Sequence, residues 1–202
     1  MEAHDSPLAD PAEIRRAMEY YAGRGWTDGL PVVPVTESYL AEFLATTSRD
    51  PDEVLMPMPQ LNRQCTVRLA AINAALAGCR PDYFPVVLAA WESLTREGYA
   101  TRGIWQSTTG TAPLLIVNGP VRERIGLNSQ GNVFGSGFRA NATIGRAIRL
   151  GAINALGLRP HQPTRPPRAP RPSTARASRR TRKKARGRRC TSSSASARPT
   201  AR

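Results

Sequence analysis

Lysine is absent from the first 160 residues of this 202-residue chain, and histidine occurs there once, as His4. With a single histidine near the start, triads built on His and metal sites built on His are unsupported, and no metal site is expected. Cysteine is scarce: Cys65, Cys79 and Cys190 have neither CxxC nor zinc-ligand spacing, and a disulfide scaffold is not expected. No apolar run approaches the roughly 18–20 residues of a membrane span. The opening "MEAHDSPLAD" is acidic and lacks the basic and apolar stretches of a signal peptide. A cytoplasmic protein with no membrane partner is expected.

Acid is the residue class missing from the other end. Residues 161–202 hold 14 of the 29 Lys+Arg and no Asp or Glu, so residues 1–160 balance 15 basic against 15 acidic residues. The formal charge of +14 therefore belongs to the tail alone. All the body's basic residues are Arg, as a GC-rich coding sequence would give. A body of this length suits one domain.

Residues 1–9 are read as a flexible N-terminus and 10–160 as the domain. Asp10-Pro11-Ala12-Glu13 is a helix start, with Asp at the N-cap, Pro at N1 and Glu at N3. Ile14, Ala17, Met18 and Tyr21 continue at helical spacing until Gly23 and Gly25. "LPVVPV" (30–35) reads as an extended edge strand interrupted by prolines. Thr36 caps a helix to about Thr47, with Leu40, Phe43 and Leu44 on its apolar face. Residues 50–63, rich in Pro and Met, read as loop. Thr66 caps a helix to Gly78 that is apolar on most sides and is therefore expected at the centre. "RPDYFP" (80–85) turns the chain into a further helix to about Leu94. "APLLIVNGP" (112–120) is the clearest strand signal. Apolar or small residues from Ile144 to Leu156 give a last helix of about four turns, with Asn141 as its cap. Several helices around a short sheet make the fold class α/β or α+β.

The stretch 128–146 carries the strongest functional signal. Gly131, Gly135 and Gly137 lie among Asn128, Ser129, Asn132, Arg139 and Asn141, just before a helix. Glycines let backbone N–H groups approach a ligand, and a helix start adds unpaired N–H groups and a positive dipole end. Arg139 and Arg146 at that end call for a compensating anion or acid. Together these residues predict an anion or nucleotide-phosphate site, although neither a Walker A nor a GxGxxG pattern is present. The plainer alternative is a tight structural turn. Trp26 and Asp28, in "GRGWTDGLPVVP", sit in a turn beside an extended segment and are read either as completing the site or as a core lid and simple turn chemistry. Cys79 is the candidate thiol. Arg80 beside it favours thiolate, but the helix C-terminus opposes it, so a core cysteine is the better reading. No cofactor is identified.

The tail "RRTRKKARGRRCTSSSASARPTAR" has no periodicity and reads as disordered. It is either a nucleic-acid-binding arm or the product of a shifted reading frame. Moving the frame back one base permits, for residues 176–202, the string TCFAENEEESPWEALHVEQGFSPADST, whose composition is that of ordinary protein. "GWTDGLPVVPVT", "INAALAGCRPDYFPVVLAAWESL", "PLLIVNGPV" and "GLNSQGNVFGSGFRANATIGRAIRL" together resemble one bacterial cytoplasmic family without a settled function. Its longer members continue with a segment close to CxAENExxSPWExxHVExGF, which the out-of-frame string matches. The resemblance implies that the frame changes between about Leu158 and Arg176, and that a segment bearing His, Cys and carboxylates is lost. Association of the family with small Cys- or selenocysteine-bearing (UGSC-type) proteins implies redox or thiol chemistry.

The expectation is thus the N-terminal portion of a bacterial enzyme or enzyme subunit, inactive as it stands, with a small anionic ligand at the Gly/Asn-rich loop. A nucleic-acid-binding protein using the tail, and a non-catalytic partner subunit, are the rivals. The tail is expected to bind polyanions without sequence preference.

Overall fold

The computed structural model describes residues 10–96 and 113–159. The flexible N-terminus expected for 1–9 and the disordered tail expected for 161–202, with Cys190, lie outside the described residues. Within them the fold is α+β: six helices and one two-stranded antiparallel sheet. Among the described residues no helix is long and apolar enough to cross a membrane.

Helix α1 spans Pro11–Gly23, and Asp10 caps it by accepting a hydrogen bond from the Ala12 N–H at 2.9 Å. None of its residues is buried. The prolines of the segment 30–35 leave it few ladder donors. It pairs with no strand among the described residues and is held where the Val33 N–H donates to the Leu76 carbonyl. That corrects the edge-strand expectation. Thr36 caps α2 (Glu37–Leu44), which buries Leu40 and Phe43.

The expected loop over 50–63 contains the first strand instead. Strand β1 (Val54–Met58) pairs with β2 (Arg63–Thr66) around a 3-10 turn at Pro59–Leu61. The irregular register between Val54 and Met56 lets Leu55 and Met56 both face inward, with Met58 beside them. In a two-stranded sheet each strand has a free edge, so Pro57 is tolerated. Asn62 turns the chain in the left-handed region, φ 51°.

Helix α3 (Val67–Leu76) is the centre of the core, capped by Thr66 and buried on most sides as its composition demands. Its alanines Ala70, Ala71 and Ala74 let the neighbouring backbones come close. Helix α4 (Phe84–Thr95) packs on it through Phe84, Val87 and the fully buried Trp91. The short α5 (Val121–Arg124) leads to α6 (Arg139–Asn154), which lies along α3. Gly151 of α6 faces the Trp91 ring. Asn73, buried in α3, accepts a 2.7 Å hydrogen bond from Asn154, whose amide also donates to the Trp26 carbonyl. This pins the turn after α1 to α6.

The strand expected at 112–120 does not form as one. The alternating exposure of residues 113–118 is that of an extended chain, but among the described residues they join no ladder. Leu115 and Val117 pack against the core while Leu114 and Ile116 point outward.

Candidate functional site

Helix α6 begins at Arg139, three residues earlier than expected, and its N-cap is Phe138, which supplies no side-chain cap. Asn141 is not the cap. It lies in the first turn and reaches sideways, accepting from the Asn128 N–H at 2.8 Å and donating to the Asn128 carbonyl at 3.0 Å. This two-way amide latch holds the loop after α5 against the helix start. Asn128 continues the network inside the loop, donating to the Gly131 carbonyl and accepting from the Gln130 N–H. Asn132 adopts φ 63° and donates to the Ser136 carbonyl, packed so closely over Gly135 that a side chain there would strike it. Gly137, at φ 119°, makes the turn into the helix, a conformation that L side chains rarely adopt.

A pocket of about 730 Å³ lies between this loop, the start of α6 and the extended segment 113–118. Asn128, Ser129, Gly135 and Asn141 line it, as does Arg122. Among the described residues Arg122 is the only charged one on its wall, and no carboxylate is present there. Its contact with Glu123 is a surface pair at 3.6 Å and leaves the guanidinium largely unengaged. Among the described residues the N–H groups of Arg139, Ala140 and Asn141 find no acceptor, so the positive end of α6 is uncompensated by protein. Leu114, Ile116, Val133, Phe134 and Ile144 supply apolar wall.

The other predicted residues gather at a second place. Arg146 grips Asp28 through two hydrogen bonds, Nε to Oδ2 at 2.9 Å and Nη2 to Oδ1 at 2.8 Å, and Nη2 also donates to the Pro31 carbonyl. These bonds hold the Asp28 carboxyl below its ordinary pKa, against a smaller opposing effect of burial. Arg139 donates from Nε to the Gly78 carbonyl at 2.9 Å, at the C-terminal end of α3. Both arginines therefore find their compensation in protein: an acid for Arg146 and a helix C-terminus for Arg139. Neither lines the pocket. Trp26 stands half-exposed in an edge-to-face cluster with Tyr20 and Tyr21, with the Arg24 guanidinium over its ring.

Cys79 is buried beside this clamp, and burial pushes its thiol up to about 11 despite Thr143 and Arg139 nearby. Cys65 is pushed up to about 12 for the same reason. At neutral pH both are protonated, as core cysteines are.

The predicted set thus divides three ways: Asn128, Ser129, Gly135 and Asn141 line the pocket, Gly131, Asn132 and Gly137 shape its loop without lining it, and Asp28, Arg139 and Arg146 form a clamp with Trp26 and Cys79 nearby. Arg122 was missed; its signal was an arginine two residues after the Asn-Gly-Pro that closes the apolar run. Comparison with protein-family models, with curated proteins and with solved structures finds no match to this chain.

Proposed function

We propose that the pocket binds a small ligand with an anionic head and an apolar body, as part of a cytoplasmic enzyme or enzyme subunit. The observation that carries the proposal is the wall itself. Arg122, held only by a solvent-exposed pair with Glu123, and the N–H end of α6 share a wall with aliphatic and aromatic surface, and none of the described lining residues is an acid. A phosphate or carboxylate gains charge-assisted hydrogen bonds at the first and buries its carbon skeleton against the second.

Among the described residues the wall has no general base and no thiol, and its hydroxyls are those of Ser129 and Ser136. Chemistry at this pocket would draw on groups outside these described lining residues, which is compatible with the subunit reading. The resemblance to a family whose longer members carry a His-, Cys- and carboxylate-bearing segment points the same way. The unpaired thiols of Cys65 and Cys79 suit a reducing compartment.

Calorimetric titration with phenyl phosphate, hexanoate and inorganic phosphate tests the reading. Phenyl phosphate is expected to bind most tightly of the three, and Arg122→Gln to weaken it by roughly tenfold or more, the worth of a charge-assisted hydrogen bond. No binding by any of the three, or binding indifferent to Arg122, overturns it. Polyanion binding by residues 161–202 is a separate proposal that rests on their charge alone. It is expected to fall steeply with salt and to show no sequence preference.

A further inference from the structure

Asn118 and Gly119 close the apolar run and carry the chain into α5. Of the seven asparagines in the chain, Asn118 alone is followed by glycine. That order matters chemically. A side chain on the following residue shields its backbone nitrogen, and glycine has none. The structure leaves the pair open. Both residues are exposed, and Gly119 sits at φ 90°. Its chain neighbours apart, no described atom lies within 4 Å of where a Cβ at 119 would stand. The amides of Asn73, Asn128, Asn132, Asn141 and Asn154 are each tied by hydrogen bonds, and none of them precedes a glycine. Asp28-Gly29 has a similar chain order, but Arg146 grips that carboxylate.

We propose that Asn118 is a site of spontaneous deamidation, and that the carboxylate it forms loosens the pocket's hold on anions. The Gly119 backbone nitrogen gives up its proton and attacks Cγ of Asn118. A C–N bond forms, the Cγ–Nδ2 bond breaks, and ammonia leaves with the proton. The product is a five-membered succinimide. Water then opens the ring at one carbonyl to give aspartate, or at the other to give isoaspartate. Water is the single co-reactant. Asn118 and Arg122 line the same pocket, and none of the described lining residues is an acid. Deamidation therefore places a carboxylate on that wall, four positions before the arginine. The new charge competes for the Arg122 guanidinium and repels an incoming phosphate or carboxylate. This consequence rests on the ligand reading above; the modification itself does not.

Ageing of the full chain at pH 6 and pH 8, followed by peptide mapping in a mass spectrometer, is the test. The peptide holding Asn118 is expected to lose its unmodified form before the peptide of any other asparagine does. Isoaspartate is expected among its products, and the loss should be faster at the higher pH, where more of the Gly119 nitrogen is deprotonated. Asn118→Gln is expected to abolish the loss. Titration with phenyl phosphate follows the same samples. The aged native chain is expected to bind roughly threefold or more weakly than the fresh one, the worth of one opposing charge in a solvated pocket. Aged Asn118→Gln is expected to bind as its own fresh sample does. An Asn118 that stays intact, or converts no sooner than the other asparagines, overturns the modification. Conversion with undiminished affinity overturns its effect on the pocket. A fresh chain that binds no phenyl phosphate overturns the ligand reading and that effect with it, while the mapped peptide still decides the modification.

Discussion

Arg146 and Asp28, 118 residues apart in the chain, form a two-pronged ion pair that ties α6 to the turn after α1. Both side chains are about four-fifths shielded from solvent. Removing the arginine leaves a shielded carboxylate and strips the Pro31 carbonyl of its donor, so Arg146→Ala is expected to cost roughly 2–3 kcal/mol at neutral pH.

The pair also sets a pH dependence. Arg146 lowers the folded pKa of Asp28, so the unfolded chain takes up a proton first as pH falls. The stabilisation is complete above the unfolded value of about 3.9 and is lost as pH drops through that value toward the folded one. Urea unfolding at pH 7 and pH 3 should show a large difference between the native chain and Arg146→Ala at the first and a smaller one at the second. An equal gap at both would mean that the pair adds nothing through charge.

Gly151 is fixed by Trp91. A Cβ at position 151 would lie 2.5 Å from Cζ2 of a fully buried indole ring. Although alanine favours helix by about 1 kcal/mol over glycine, the displaced ring dominates, and Gly151→Ala is expected to destabilise by about 1–3 kcal/mol. Gly145, on the same helix, meets nothing within 4 Å. Gly145→Ala is therefore expected to be neutral or stabilising. Thermal melts of the two variants in opposite directions would confirm the contrast; a stabilised Gly151→Ala would refute the packing.

The buried thiols give a chemical test. With Cys190 replaced by Ser, the folded chain should show no fast reaction with an aromatic disulfide reagent at pH 8, because Cys65 and Cys79 are inaccessible and protonated. Denaturant should release two thiols. Rapid reaction of one thiol in the folded chain would return Cys79 to the list of functional candidates.

Sequence reading succeeded where local chemistry decides. The caps at Asp10, Thr36 and Thr66 are short-range hydrogen bonds, and each stands where its residue type and the following apolar spacing place it. The all-round apolar character of α3 likewise located the core centre. It failed where a partner far along the chain decides. Whether 54–58 or 113–118 becomes a strand depends on what lies beside it. Arg63–Thr66 is there for the first, and none of the described residues pairs with the second. Asn141 was misassigned for the same reason: its best partner is Asn128, 13 residues away, and not its own helix. The site was legible as a loop and helix start. The destinations of Arg139 and Arg146 were not, since Gly78 and Asp28 are brought to them only by tertiary packing.

Asn141 offers the sharpest test of the pocket, because two substitutions there separate structure from charge. Asn141→Ala removes the acceptor of the Asn128 N–H and the donor to its carbonyl. A cost of about 1–2 kcal/mol is expected, with faster amide hydrogen exchange over 128–136. Asn141→Asp keeps an acceptor for the Asn128 N–H and places negative charge in the first turn of α6, where the helix dipole favours it. It should therefore be the more stable of the two variants. For an anion the order reverses. The aspartate occupies the electrostatic place of the ligand and faces it across the pocket, so phenyl phosphate should bind Asn141→Asp more weakly than Asn141→Ala. If ligand affinity instead follows stability, with Asp the better of the two, the loop matters only as scaffold and the pocket is not an anion site.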